Sequence, residues 1–189
     1  MVTDNKEIDL GLFKELQSGD EQAFTTIFRT YYEPLFRFAA RFVREADAAE
    51  NIVQEVFVKI WINRNKINIV YDVKAYLYTA VKNHCLNFIK QGKRLSSIDE
   101  NTEKIITSVK SPEDEFEKNE KLEAINDAIE RLPARCKEIF LMKKYDELSY
   151  KEIAEILNIS INTVKTQMKR ALKFLLKQLE NINSLIIFM

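Results

Sequence analysis

The chain has 189 residues, and its 29 basic and 29 acidic side chains give a formal net charge of zero. With 46% apolar and 31% charged residues, the composition is that of an ordinary folded protein and excludes a disordered chain. Only 3 glycines and 3 prolines occur, too few for the turns of a β-rich chain of this length, so a mostly helical fold is predicted.

Several functional classes are disfavoured by what the sequence lacks. No apolar run approaches the roughly 18–20 residues of a membrane span, and the N-terminus lacks the pattern of a signal peptide. Cys85 and Cys136 match no metal-binding spacing and only one histidine occurs, so no metal and no cofactor are expected. The sequence shows no glycine-rich phosphate loop or nucleophile constellation, which argues against an enzyme. We expect a cytoplasmic protein with no membrane insertion.

Charge is distributed unevenly along the chain. Residues 95–117 contain 2 basic and 7 acidic side chains, whereas 1–94 carry a net charge of +2 and 118–189 a net charge of +3. The acidic stretch also contains serine, threonine and proline, and its few apolar residues follow no helical period. We predict an all-α chain with two small helical domains, at 8–94 and 118–180, joined by a flexible acidic linker at 95–117. The alternative is a solvated loop within one larger domain.

The chain begins with two predicted helices. Asp9–Gln17 is a short amphipathic segment that Gly19 terminates, and Asp20 is suited to cap the next helix. Pro34 is expected to kink or restart that second helix because proline lacks the backbone N–H. Both segments are interpreted as core packing.

The clearest helical pattern runs from Asp47 to Trp61. Its apolar residues recur in alternating steps of three and one, which places them on one face of a helix. This predicted helix is labelled α3. Its opposite face, called here the α3 polar face, consists of Asp47, Glu50, Asn51, Gln54 and Glu55. This face is interpreted either as a solvated helix surface or as a docking surface for a basic partner.

A third long helix is predicted after Asp72, a good N-cap, to near Gly92. Tyrosines in this helix are interleaved with lysines, and rings that stack on bases beside cations that meet phosphates suit single-stranded nucleic acid. Aromatic residues at helical spacing are more often part of a core, so the pattern alone is weak. His84 is interpreted as a packed or surface residue, because nothing nearby would orient it as a base.

The C-terminal part predicts a helix-turn-helix. Two helices, the second starting at Pro133, precede Ser149 and Glu152, which are three residues apart as in a capping box. The helix that they open ends before Asn158, a residue that tolerates the left-handed conformation. Ser160 is suited to cap the last helix, which starts at Ile161.

The last helix has a strongly basic outer face. Val164, Met168, Leu172, Leu175 and Leu179 are predicted to point inward, and residues 160–177 carry a net charge of +5. Lysine, arginine, glutamine and threonine near the start of a helix in the major groove reach base edges and phosphates. The alternative is an ordinary α-hairpin with a basic solvated face. The outward candidates are Asn162, Thr163, Lys165, Thr166, Gln167, Lys169, Arg170 and Lys173.

Both halves together resemble bacterial RNA polymerase sigma factors of the extracytoplasmic-function type, within the sigma-70 family. Residues 47–57 are similar to the family's core-binding motif, with Asn51 where aspartate is usual. Residues 75–83 resemble the helix that opens and reads the −10 element, and 149–171 resemble the helix-turn-helix that reads the −35 element. Gln167 stands where arginine is frequent, which implies an altered base preference. The high isoleucine, asparagine and lysine content resembles that of the Bacteroidetes branch.

The resemblance implies a transcription initiation factor that is not an enzyme and is a monomer when free. Its implied partners are core RNA polymerase, promoter DNA (duplex at −35, single-stranded at −10) and an anti-sigma factor. The α3 polar face would bind core polymerase. The loop 63–72 and the helix after it would hold the unpaired −10 base, with candidate residues Asn68, Tyr71, Lys74, Tyr76, Tyr78, Lys82, Asn83 and Lys90.

At the −35 element the candidates divide into two groups. Base edges are assigned to Lys165, Thr166, Gln167 and Arg170, and phosphates to Lys169, Lys173 and the backbone amide of Asn162.

Two rival functions remain open from the sequence. A stand-alone helix-turn-helix regulator, whose N-terminal half senses a ligand or dimerises, would bind a palindromic operator without polymerase. A helical module that only sequesters another regulator would bind protein and no DNA. The basic outer face of the last helix argues against the second.

Overall fold

The computed structural model describes residues 5–69, 72–95 and 125–187, and all regular secondary structure within these ranges is helical. The chain divides into two compact units, the first built from α1–α4 and the second from α5–α8. The all-α prediction and the prediction of two helical units are confirmed; the predicted linker lies, except for Leu95, outside the described residues. The helices are α1 (Asn5–Gln17), α2 (Glu21–Val43), α3 (Ala46–Asn63), α4 (Val73–Leu95), α5 (125–130), α6 (Ala134–Lys144), α7 (Tyr150–Leu157) and α8 (Ile161–Ile187).

In the first unit, α2 is the central helix and packs against α1, α3 and α4. Asp20 caps it by accepting hydrogen bonds from the backbone N–H groups of Gln22 and Ala23, as the sequence predicts. Gly19 ends α1 with a φ of +95°, a conformation that glycine adopts without strain. The core between the four helices contains Phe13, Leu16, Ile27, Leu35, Phe38, Val53, Phe57, Leu77 and Val81.

The prediction that Pro34 restarts the second helix is wrong, because α2 runs through it without interruption. A proline inside a helix costs about 3 kcal/mol, since it removes a hydrogen bond and crowds the preceding turn. Leu35 follows it immediately and Phe38 lies about one turn further on, and both are fully buried in the core. Because burying each such side chain contributes about 1.5–3 kcal/mol, tertiary packing of one continuous helix outweighs the local cost.

The second unit contains the predicted helix-turn-helix. Ser149 and Glu152 form the capping box at the start of α7, with both reciprocal hydrogen bonds present. Asn158 ends α7 in the left-handed conformation, at φ 52° and ψ 52°. The Ser160 hydroxyl then accepts from the Thr163 backbone N–H at 3.0 Å and caps α8. All three local predictions are confirmed.

Among the described side chains, the inward side of α8 differs from the prediction at one position, and the side chain of Leu179 lies outside the described residues. Val164, Met168, Ala171 and Leu175 are buried, whereas Leu172 is 47% exposed. Successive helical residues are rotated by about 100° around the helix axis. Because the row of buried side chains passes through Ala171, the next residue, Leu172, points away from the core. The prediction that Leu172 points inward is therefore wrong.

Within the described ranges, no helix combines the length and the apolar character that a bilayer-spanning segment requires.

Candidate functional site

The α3 polar face is exposed along its whole length. Asp47, Glu50, Asn51, Gln54 and Glu55 all project to solvent, because the opposite side of the helix is buried against α2 and α4. Hydrophobic periodicity alone was sufficient to predict this orientation. The structure thus brings these five side chains together on one continuous surface.

The middle of the α3 polar face is ordered by hydrogen bonds. Glu50 Oε1 accepts from Gln54 Nε2 at 3.0 Å and from the Tyr32 hydroxyl of α2 at 3.2 Å. These two donors hold the carboxylate in one orientation without neutralising it, since neither carries a charge. The surface therefore presents fixed negative charge.

Glu55 has charged and titratable neighbours. Its Oε2 lies 3.7 Å from Lys59 Nζ on the same helix and 3.6 Å from His84 Nδ1 on α4. Burial lowers the pKa of the His84 imidazole and Lys59 lowers it further, against the opposing effect of Glu55. A lowered pKa keeps His84 neutral at pH 7, so Lys59 is the cation that faces Glu55 there.

Two tyrosines of α4 have different environments. Tyr78 is 1% exposed, and its ring packs edge-on against Phe38 with centroids 4.9 Å apart. A base cannot stack on a ring that is enclosed in the core, so the Tyr78 ring cannot contact DNA as the sequence predicts. Tyr76 is half-buried and contacts Phe13 edge-on at 6.5 Å, which leaves part of its ring accessible.

The other −10 candidates lie partly or fully at the surface. Asn68 follows α3 in the loop, and Lys74, Lys82, Asn83 and Lys90 are on α4. Tyr71 lies outside the described residues. Asn68, Asn83 and Lys90 are exposed, and Lys74 and Lys82 are half-buried.

A cleft of about 180 Å³ separates the end of α3 from α4. Asn63 and Ile67 line one side of this α3–α4 cleft, and Tyr76, Ala80 and His84 line the other. Sequence reasoning placed the loop beside α4 only by resemblance and did not single out Ile67 or Ala80. No local signal could have identified them, because their approach depends on how α3 and α4 pack.

The outer face of α8 carries most of the predicted side chains at the surface. Its seven exposed candidates are Asn162, Thr163, Lys165, Thr166, Lys169, Arg170 and Lys173. Gln167 differs, because it is half-buried and its Oε1 accepts from the Cys136 thiol of α6 at 3.1 Å. The orientation of Gln167 is thus set by α6, and the exposed cations form a positive surface beside it.

An apolar groove of about 420 Å³ runs along α8 beside the basic residues. Leu172 and Leu176, 47% and 61% exposed, form this α8 groove with Tyr150 and Met168. Lys165, Lys169 and Lys173 also line it. Sequence reasoning missed the groove because it assigned Leu172 to the core.

No group of three or more histidine, cysteine or acidic side chains within the described ranges is arranged to hold a metal ion.

Two sequence models of known protein families match the chain. The model described as Sigma-70 region 2 matches residues 27–95, and the model described as Sigma-70, region 4 matches residues 122–175. The first match covers most of α2 and all of α3 and α4, and the second covers α5–α7 and the first half of α8.

Known proteins of similar sequence extend over nearly the whole chain. The ECF RNA polymerase sigma factor SigW of Bacillus subtilis is 29% identical over 178 residues, which cover 89% of this chain and 95% of that protein. The ECF RNA polymerase sigma-E factor of Escherichia coli K12 is 27% identical over 172 residues, which cover 86% of this chain and 90% of that protein.

Solved structures share the fold at lower identity. CnrH, solved in complex with the cytosolic domain of CnrY, has a TM-score of 0.63 at 17% identity and covers 92% of this chain and 97% of that one. The sigma factor RpoE of Bartonella quintana, solved with the anti-sigma factor NepR, has a TM-score of 0.60 at 22% identity and covers 83% and 96%.

Proposed function

Since the chain belongs to the sigma-70 family of RNA polymerase sigma factors, in the extracytoplasmic-function group, we propose that its two units divide promoter recognition between them. The protein is a transcription initiation factor that binds core RNA polymerase and directs it to specific promoters. It is a regulatory protein, and its action consists of binding. The main support for this division between the two units is the contrast between the acidic, ordered face of α3 and the basic, exposed face of α8.

The α3 polar face is the surface for core polymerase. Its carboxylates at Asp47, Glu50 and Glu55 suit a basic partner, and the hydrogen bonds to Glu50 hold that charge in place before binding. A preorganised charged surface loses less side-chain entropy when it binds. Asn51, in place of the usual aspartate, contributes an amide and one charge fewer.

The α3–α4 cleft and its rim hold the −10 element as a single strand. Tyr76 supplies a partly accessible ring, and Asn68 and Asn83 supply amides that can pair with base edges. Unstacking a base costs a few kcal/mol, which contacts in a pocket can offset. Lys74, Lys82 and Lys90 supply positive charge for phosphates, and Tyr71 completes the set that the resemblance implies.

The outer face of α8 reads the −35 duplex. Lys165, Thr166 and Arg170 are suited to base edges near the start of the helix, whereas Lys169, Lys173 and the amide of Asn162 are suited to phosphates. Gln167 reaches base edges from its position beside α6, and glutamine in place of the frequent arginine changes the preferred base.

The two units act as tethered weak binders. With domains at 8–94 and 118–180 and an acidic linker at 95–117, binding of one unit raises the effective concentration of the other.

The protein acts in the cytoplasm as a monomer when free. Its composition, rich in isoleucine, asparagine and lysine, supports an origin in the Bacteroidetes branch.

Run-off transcription tests this division directly. The full chain is mixed with core RNA polymerase of the same bacterium and a promoter library. Saturable binding and transcripts from promoters that share both a −35 and a −10 motif are expected. Binding to a palindromic site without polymerase, and no transcripts with it, would instead support a stand-alone regulator.

We also propose that an anti-sigma factor regulates the protein and covers the α8 groove. Bartonella quintana RpoE, which shares the fold, is bound by an anti-sigma factor. The α8 groove has an apolar floor flanked by lysines, which fits an amphipathic helix with acidic edges.

Leu176→Gln is expected to raise the activity of a promoter reporter several-fold in the native bacterium, because it weakens inhibition at the α8 groove. Run-off transcription with purified core should stay within about twofold of wild type, since Leu176 is not a proposed DNA contact. Leu86→Gln, at an exposed leucine of α4, is the control. Equal reporter activity in wild type and Leu176→Gln would exclude the groove as the inhibitor's site.

A further inference from the structure

Helix α1 has no part in the proposed function, and the Sigma-70 region 2 match begins only at residue 27. It nevertheless contacts residues 64–69 and Asp72 between α3 and α4, called here the α3–α4 segment, part of which lines the α3–α4 cleft. Contacts from α1 and the turn after it reach the beginning, the middle and the end of this segment. Each contact constrains a different part of it.

At the beginning of the segment, the α1–α2 turn passes close to Arg64. A Cβ atom placed on Gly19 would lie 3.9 Å from Arg64 Nη2, so a side chain at this position would contact the guanidinium. Arg64 also stacks on the Trp61 ring at 4.3 Å and donates from Nη1 to the Trp61 carbonyl at 2.7 Å. Arg64, the residue that follows α3, is therefore held against the helix end and lies beside the turn.

In the middle of the segment, a side chain of α1 binds the loop backbone. Gln17 Nε2 donates to the Ile67 carbonyl at 2.6 Å, a contact between residues 50 positions apart. Carbonyls in irregular loops lack the regular partners of a helix or sheet, so one tertiary hydrogen bond strongly limits their orientation. Ile67 lines the α3–α4 cleft, so this bond acts on the cleft wall.

At the end of the segment, α1 reaches the N-cap of α4. Lys6 Nζ lies 2.5 Å from Asp72 Oδ2, and Asp72 Oδ1 accepts from the Ala75 backbone N–H at 2.8 Å. The Asp72 side chain is only 8% exposed, which makes its ion pair and its cap bond mutually dependent. The start of α4 thus depends on a cation of α1.

A hydrogen bond outside the segment holds α1 in position. The Tyr31 hydroxyl of α2 donates to Asp9 of α1. Burial raises the pKa of both groups, which is the expected effect of enclosing them between helices. Helix α1 is therefore anchored to α2 while its two ends contact the segment.

We propose that α1 is a positioning helix for −10 recognition, and that Gln17 and Lys6 hold residues 64–69, Asp72 and the start of α4 in the geometry that receives the unpaired base. The proposal rests on the proposed −10 function of the α3–α4 cleft. Ordering a loop before its ligand arrives removes that entropic cost from binding. Gln17 and Lys6 act through the segment and do not touch DNA.

Gln17→Met tests the proposal because methionine keeps the length and apolar stem of glutamine but cannot donate to Ile67. In holoenzyme, binding of a single-stranded −10 oligonucleotide should weaken about 3- to 10-fold, the range for one lost hydrogen bond. Preference among the four bases at the unpaired position should flatten. Core affinity and −35 duplex binding should stay within about twofold, and thermal unfolding verifies the fold.

Ser18→Ala is the matched control, because the Ser18 hydroxyl, just after α1, donates to nearby carbonyls of α1, those of Lys14 and Glu15. A second variant, Asn68→Ala, removes an exposed, proposed −10 contact that follows the cleft residue Ile67. Altered base preference in Asn68→Ala and Gln17→Met, with Ser18→Ala like wild type, supports the proposal. If Asn68→Ala changes −10 binding and Gln17→Met does not, the role of α1 is overturned and the −10 assignment stands. If Asn68→Ala leaves −10 binding unchanged, both the −10 assignment and the role of α1 are overturned.

Discussion

Glu55→Lys is expected to weaken binding of this sigma factor to core RNA polymerase by about 2–5 kcal/mol, roughly 30-fold or more. The substitution replaces a carboxylate in the α3 polar face with a cation, and like charges brought together in an interface cost several kcal/mol. The new lysine would also lie beside Lys59, which now faces Glu55 at 3.7 Å. The helix should persist, because the Glu55 side chain is 63% exposed and makes no core contact.

A matched control separates docking from the loss of net charge. Glu33→Lys on α2 makes the same charge change and removes a similar exposed pair, that with Arg37 at 3.1 Å. Affinity for core polymerase should be close to wild type in this control, and circular dichroism should show equal helicity in both variants. Equal weakening by the two substitutions would mean that long-range charge, and not the α3 polar face, governs binding.

Lys165→Ala is expected to weaken binding to the preferred −35 sequence by about 1–3 kcal/mol, with a smaller loss on a scrambled sequence. Lys165 is exposed near the start of α8, the part of a recognition helix that enters the major groove. A side chain that donates to a base edge contributes to one sequence, whereas a phosphate contact contributes to all sequences. The measurement is holoenzyme binding to promoters that differ only in the −35 element.

Lys177→Ala provides the comparison within the same helix. Lys177 is exposed on α8 but lies about three turns beyond Lys165, away from the groove-entering end. Its removal should leave the preference between −35 sequences unchanged. An equal loss for Lys165→Ala on every sequence, with a reduced salt dependence, would reassign Lys165 from base to phosphate.

Much of the local structure followed from residues close together in the sequence. The caps at Asp20, Ser149 and Ser160 and the left-handed end at Asn158 involve atoms within a few residues of one another, so short motifs were sufficient to predict them. The α3 polar face followed from periodicity, because burial of one side of a helix leaves the other in solvent. The family was predicted from the resemblance of its motifs to those of known sigma factors, and not from caps or periodicity.

Other features depended on how the helices pack against each other. Tyr76 and Tyr78 are two positions apart in the same helix, yet only one is enclosed, because α2 covers that side of α4. Pro34 stays within α2 because the burial of Leu35 and Phe38 outweighs the free-energy cost of a proline in a helix. Leu172 is exposed because the buried side of α8 passes through Ala171 instead.

The helices, their caps and the charged faces of α3 and α8 could be predicted from the amino-acid sequence, because they depend on local hydrogen bonds and on helical periodicity. The contacts of Gln17 with Ile67 and of Lys6 with Asp72 could not. Those pairs are 50 and 66 residues apart. Their meeting is set by the packing of α1 against α2 and α4, which no short motif encodes.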